Sequence, residues 1–188
     1  MPPKAKITKE MIISAGLEII RKNGDSGLNV RTVAKELGCS TQPVMYLFPT
    51  VEELKNELYK KADEYHSEYI MNTDHEDPLL GIGLRYIRFS WEEKNLFRFL
   101  FQSDKLSDND FTQLLSSDEL TPIFDILKKE AELTEEECSK AFAALFFTVH
   151  GIAGLLANNS MEYNEEFFAE TLTNVFFGAI GAMKGGTI

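Results

Sequence analysis

Apolar residues along the chain recur at steps of three and four, and no alternating run bounded by Asn-Gly or Asp-Gly turns breaks that pattern. This is the period of helices rather than strands, and it predicts an all-α protein. A first helix is expected from Thr8, an N-cap, to Asn23, with Gly24 as its stop and Ile12, Ala15, Ile19 and Ile20 as its apolar stripe. Asn29 caps a second helix with Val30, Val33, Ala34 and Leu37 on one face, ended by Gly38. Ser40 caps a third over Thr41 to Phe48, with Pro43 in the first turn, where its missing N–H costs nothing. Thr50-Val51-Glu52-Glu53 forms a capping box, with Pro49 and Leu54 as a hydrophobic staple. It opens a long helix to about Met71 with Leu54, Leu58, Ala62, Tyr65 and Tyr69 on one side. Residues 72–78 form the clearest linker. Further helices are expected at about 78–92, 94–102, 108–116, 119–132, 135–158 and 164–183, with Asp118, Thr134 and Asn164 as caps. Three short helices thus precede a larger bundle that starts near Val51.

Charge sharpens this division. The 188 residues carry a net −11, which on its face argues against nucleic acid. Residues 1–50, however, hold seven basic and four acidic side chains, a formal +3, and residues 51–188 hold 12 basic and 26 acidic, a formal −14. A mildly basic head on an acidic body suits an N-terminal DNA-binding module, since charges beyond about 8 Å are screened at physiological salt. Cys39 and Cys138 are too few and too far apart for a disulfide framework or a CxxC metal site. No apolar segment follows the N-terminal charges, so a cytoplasmic protein is expected. The longest uncharged apolar run, Ala141 to Ala157, contains Thr148, His150, Gly151 and Gly154 and is read as a buried helix rather than a membrane span.

Residues 29–48 have helix-turn-helix spacing: two helices of about eight residues joined by Gly38-Cys39-Ser40. An ordinary helical hairpin has the same spacing. In the DNA-binding case the second helix offers Thr41, Gln42, Met45 and Tyr46 to a major groove. From Thr8 to about Leu58 the chain resembles the DNA-binding domain of the TetR/AcrR family of bacterial transcriptional regulators. Ile12 to Ile19 with Gly24 resembles the first helix of that family. Val30-Arg31-Thr32-Val33-Ala34-Lys35-Glu36-Leu37-Gly38-Cys39-Ser40 resembles the second helix and turn, and Val44, Tyr46, Phe48 and Pro49 to Leu54 the recognition helix and the start of the fourth. The family carries Tyr where this chain has Met45 and Lys where it has Val51, with Tyr46 and Lys55 as nearby substitutes. The resemblance implies a DNA-binding head over 1–50, with Asn29, Ser40, Thr41, Gln42, Pro43, Met45, Tyr46, Lys55, Lys4 and Lys6 as candidate DNA contacts. Lys4, Lys6 and Lys9 read equally well as a backbone-contacting arm or a solubilising terminus.

Thirteen of the fourteen Phe lie between residues 89 and 177, with the single Trp. Such a bundle can pack its own core or enclose a flat or lipophilic ligand, for which Phe89, Phe97, Phe101, Phe124, Phe147 and His150 are the candidates. The last two helices carry apolar residues on more than one face, and Val149-His150-Gly151 resembles a Trp-His-Gly segment of some family members. The resemblance implies a ligand-binding and dimerising bundle over 51–188, with the homodimer formed through about 135–158 and 164–183. No HExxH, phosphate-binding glycine loop, GxSxG or paired ExxH motif occurs, so no catalytic residue, metal or cofactor is expected. Asp63 and His66 form a single i, i+3 pair, read as solvated; His75 lies in the linker. The expected function is a homodimeric regulator, in the first instance a repressor, that binds a palindromic double-stranded DNA operator and is released by a small effector. The alternative is a helical small-molecule- or partner-binding protein whose head does not read DNA.

Overall fold

The computed structural model describes residues 7–103, 115 and 120–184. Among them lie nine α-helices and no strand: α1 Lys9–Asn23, α2 Val30–Glu36, α3 Thr41–Leu47, α4 Val51–Met71, α5 Pro78–Glu92, α6 Lys94–Phe101, α7 Thr121–Ala131, α8 Glu135–Ala157 and α9 Glu165–Met183. The expected helix at 108–116, apart from residue 115, and the cap Asp118 lie outside the described residues. Every other expected helix is present, with ends moved by two residues or fewer.

Local chemistry explains most boundaries. The Thr8 hydroxyl accepts the Met11 N–H at 3.3 Å to start α1, and Gly24, at φ 73°, closes it by donating to the Ile20 carbonyl at 2.8 Å. The Thr50 hydroxyl accepts the Glu53 N–H at 3.1 Å, while Leu54 is buried and Pro49 stays exposed. Thr134 and Glu137 complete a capping box at α8, and Asn164 accepts the Phe167 N–H at α9. The linker before α5 is shaped by His75, whose Nδ1 accepts the Asp77 N–H at 3.0 Å, and by Asp77, which caps α5 through the Leu80 N–H.

The described residues divide into two compact units. The first holds α1–α3, α4 through Ser67, and α6; the second holds α4 from Glu68, α5 and α7–α9. The head unit therefore takes in more chain than residues 1–50. The cause is α6, which packs on α1: Arg21 Nε donates to both Glu93 carboxylate oxygens at 3.2 Å, and Asn95 donates to the Arg21 carbonyl at 2.8 Å. The core of this unit includes Ile12, Ile20, Val33, Val44, Leu54, Leu58, Leu96 and Phe97. His66 belongs to it as well. It is 5% exposed, with Phe101 edge-on at 5.0 Å, and so is not the solvated side chain that its pairing with Asp63 suggested. In the second unit α8 packs against α5, α7 and α9 around Phe124, Leu127, Leu133, Cys138, Ala141 and Phe142.

Candidate functional site

In the head, α2 and α3 are joined by a turn whose geometry comes from one glycine. Gly38 takes φ 63°, a left-handed value that a side chain disfavours. The chain then doubles back so that the Cys39 N–H donates to the Ala34 carbonyl at 2.9 Å and the Gly38 N–H to Lys35 at 3.1 Å. At the other end of α2, Asn29 Oδ1 accepts the N–H groups of Arg31 and Thr32, both at 3.0 Å, and the Asn29 N–H donates to the Thr32 hydroxyl. The Asn29 carboxamide oxygen is thus engaged in capping. Val33, Ala34, Val44 and Phe48 are buried, which fixes α3 against α2 and turns its opposite face outward. That face presents Gln42, Met45 and Tyr46, the last two 52% and 84% exposed, with Thr41 and Pro43 half-buried and Ser40 exposed at the start. The Ser40 side chain makes no capping hydrogen bond.

The cations of the head differ in availability. The Lys55 ammonium is paired with Asp25 at 3.0 Å, and Lys22 with Glu36 at 3.7 Å. Lys9 lies 5.4 Å from the centre of the Phe48 ring. Arg31 and Lys35 are exposed on α2 one turn apart. These two are absent from the sequence-derived set, although their i, i+4 spacing opposite Val33 and Ala34 was the available signal. Lys4 and Lys6 lie outside the described residues.

In the second unit, aromatic rings form a continuous row. Phe124 meets Phe142 at 6.1 Å, Phe142 stacks on Phe146 at 5.6 Å, and Phe146 stacks on His150 at 5.5 Å. The row ends in a polar pair: the Tyr86 hydroxyl is hydrogen-bonded to His150 Nδ1 at 2.9 Å. Burial pushes the His150 imidazole below its ordinary value, which favours the uncharged ring. Also on α5, Arg88 holds Tyr163 and Glu165 ahead of and within the first turn of α9. Further along, the end of α4 grips α5: Tyr69 donates to Glu92 at 2.6 Å, and Arg85 lies over the Tyr69 ring.

The outward side chains of α8 from Phe147 to Leu155 are apolar, while α9 exposes phenylalanines beside Glu166, Glu170 and Asn174. Phe147, Gly151 and Leu155 follow one another at four-residue steps on α8, all exposed, and Phe167 and Phe177 are exposed on α9. By length and composition alone α8 could cross a membrane, but its other face is buried as in a core helix. Among the described residues no three His, Cys, Asp or Glu side chains stand close enough to hold a metal ion.

No protein-family model matches the sequence, and no curated protein matches it. Solved structures do. A TetR-like transcriptional regulator from Rhodococcus sp. RHA1 is similar at a TM-score of 0.66 and 13% identity over 98% of this chain and 99% of that one. A TetR-family member from Streptomyces coelicolor A3 is similar at 0.62 and 18%, over 89% and 96%. A single-substitution variant of TetR from Acinetobacter baumannii AYE, in complex with minocycline, is similar at 0.62 and 16%, over 96% of each chain. This chain has the TetR fold.

Within the TetR fold, the candidate DNA residues from Ser40 to Tyr46 come together on one helix and its cap, with Asn29 and Lys55 tied to their own partners. The six candidate ligand residues are divided between the two units. Phe97 and Phe101 pair at 5.0 Å inside the first unit, where Phe97 is fully buried. Phe89 is buried against Tyr69 at 5.3 Å, and Phe147 is 60% exposed. Phe124 and His150 belong to the aromatic row, which adds Phe142, Phe146 and Tyr86, and Phe147 meets Phe146 edge-on at 6.2 Å. The 142–146–150 spacing on one helix face was the sequence signal for it.

Proposed function

We propose that the protein is a TetR-family transcriptional regulator: a cytoplasmic homodimer that binds a palindromic double-stranded DNA operator and represses from it until a small effector releases it. The observation that carries this reading is the helix-turn-helix of the head, in which the buried Val44 and Phe48 anchor α3 and leave Gln42, Met45 and Tyr46 outward in a fold shared with regulators. Residues 1–50 serve DNA binding, and the bundle of 51–188 serves effector binding and dimerisation. Ser40, Thr41, Gln42, Met45 and Tyr46 face the groove, and Arg31 and Lys35 supply phosphate contacts.

The exposed Phe147 and Leu155 of α8 and Phe167 and Phe177 of α9 support a two-fold interface, which presents two recognition helices to half-sites about one helical turn apart. The row from Phe124 to His150, apolar along its length and polar at one end, supports a small lipophilic or aromatic effector; a neighbour of the same fold holds minocycline. Effector binding shifts the population towards a state with weaker operator affinity, and linkage requires that operator weaken effector binding by the same factor. The test is selection from random duplex DNA by the purified protein at near-physiological salt. Enrichment of an inverted repeat supports the proposal. Weak, salt-sensitive binding without enrichment overturns it in favour of a helical binding protein whose head does not read DNA.

A further inference from the structure

The surface that α3 turns outward has an unusual chemical restriction. From Leu37 through Val51, across the turn, the recognition helix and the start of α4, the chain holds no charged residue. The side chains presented are a carboxamide (Gln42), a thioether (Met45), a phenol (Tyr46) and, half-buried, the methyl and hydroxyl of Thr41. In a major groove, guanine offers two acceptors, N7 and O6, that are met bidentately by Arg or Lys, and the cytosine N4 amino group calls for a carboxylate. The α3 face carries neither. Adenine offers an N7 acceptor beside an N6 donor, the pattern a carboxamide matches with both its groups, and thymine offers a methyl that an apolar side chain can cover.

Placement agrees with this chemistry. Gln42 and Met45 lie three residues apart, and Gln42 and Tyr46 four, so the three share one face of the helix. Three residues of helix rise about 4.5 Å, close to one base-pair step of about 3.4 Å. We infer that the recognition helix reads adjacent A·T base pairs in each half-site, with Gln42 on the adenine N6/N7 edge and Met45 and the Thr41 methyl on thymine methyls. This rests on the DNA-binding reading above and goes further, because it fixes the base class that the operator must carry under α3.

The experiment removes one recognised atom at a time. A duplex selected from the random pool is rebuilt in three forms: uracil for thymine, which deletes the methyl; 7-deazaadenine, which deletes the adenine N7 acceptor; and 7-deazaguanine as the counterpart. Each is bound by the full-length protein at one near-physiological salt concentration. Uracil is expected to weaken binding about fourfold per contacted methyl, and 7-deazaadenine about 5- to 100-fold. The 7-deazaguanine form should bind unchanged. Met45→Ala, at an exposed position, should bind the uracil and thymine duplexes alike, and Gln42→Ala should cease to distinguish 7-deazaadenine from adenine. A loss on 7-deazaguanine with none on the other two overturns the A·T inference and leaves DNA reading in place. A pool that yields no enriched sequence overturns both.

Discussion

The two units finish their surfaces in opposite ways. In the first, Ile12, Leu54, Leu58, Leu96 and Phe97 are buried, and what α3 turns outward is uncharged and, through Gln42 and Tyr46, able to hydrogen-bond. In the second, a comparable core around Phe124, Leu127 and Cys138 coexists with Phe147 and Phe177 left 60% and 65% exposed on long helices. An exposed face of Gln, Met and Tyr on a seven-residue helix suits the edges of base pairs, which offer both hydrogen bonds and methyl groups. Large exposed phenylalanines on neighbouring helices suit another apolar protein face. The same chain therefore prepares two surfaces for two kinds of partner, and the difference can be attacked from either side.

The largest effect is expected at the exposed phenylalanines. Replacing Phe147 and Phe177 together by Glu should weaken self-association by at least 100-fold, given burial of about 2 kcal/mol or more per aromatic at an interface core. Sedimentation should show the wild type at twice the protomer mass and the double variant at one; an unchanged dimer would break the comparison. Next comes a pH effect inside the head. Burial holds His66 at about 4, below its ordinary 6.5, so between those values the unfolded chain binds the proton and the folded one does not. The stabilisation is complete above pH 6.5 and is lost as pH falls towards 4, by on the order of 2–3 kcal/mol. Denaturant titrations of His66→Phe should show a flatter slope across that window than the wild type.

Two glycines sharpen the contrast further. A Cβ on Gly16 would stand 2.8 Å from a methyl of the fully buried Leu58, so Gly16→Ala should cost the fold about 1–3 kcal/mol in thermal or denaturant unfolding. A Cβ on Gly151 meets nothing within 4 Å. Gly151→Ala should therefore raise protomer stability by up to about 1 kcal/mol, read in the Phe147→Glu background, and still weaken the dimer if a second helix packs closely there. The smallest effects concern phosphates. Arg31→Ala and Lys35→Ala should each reduce the salt slope of operator binding by about 1 per site. Lys55→Met should change it less, because Asp25 already pairs with that ammonium.

What the sequence made legible was local. Thr8 with Gly24, Asn29 with Thr32 and Thr134 with Glu137 act within a few residues of each other, and α1, α2 and α8 start or stop where those residues stand. What it concealed depends on partners far along the chain. His66 reads as half of a solvated pair until Phe101 is brought against it, and Lys55 reads as a free cation until Asp25, 30 residues earlier, takes it. Phe97 and Phe101 read as part of the aromatic bundle because composition carries no address; the Arg21–Glu93 and Asn95–Arg21 bonds, spanning more than 70 residues, bring α6 into the head unit. Helical periodicity found the outward face of α3, because burial of Val44 and Phe48 decides it locally.

The central claim is that α3 reads bases rather than merely resting on phosphates, and competition binding of the wild type and Gln42→Ala to a selected inverted repeat and to random duplex tests it most directly. At one near-physiological salt concentration, Gln42→Ala should lose about 1–3 kcal/mol on the repeat, a factor of roughly 5 to 150, and nothing on random DNA. An equal loss on both duplexes, or a wild type that does not distinguish them, would contradict the claim.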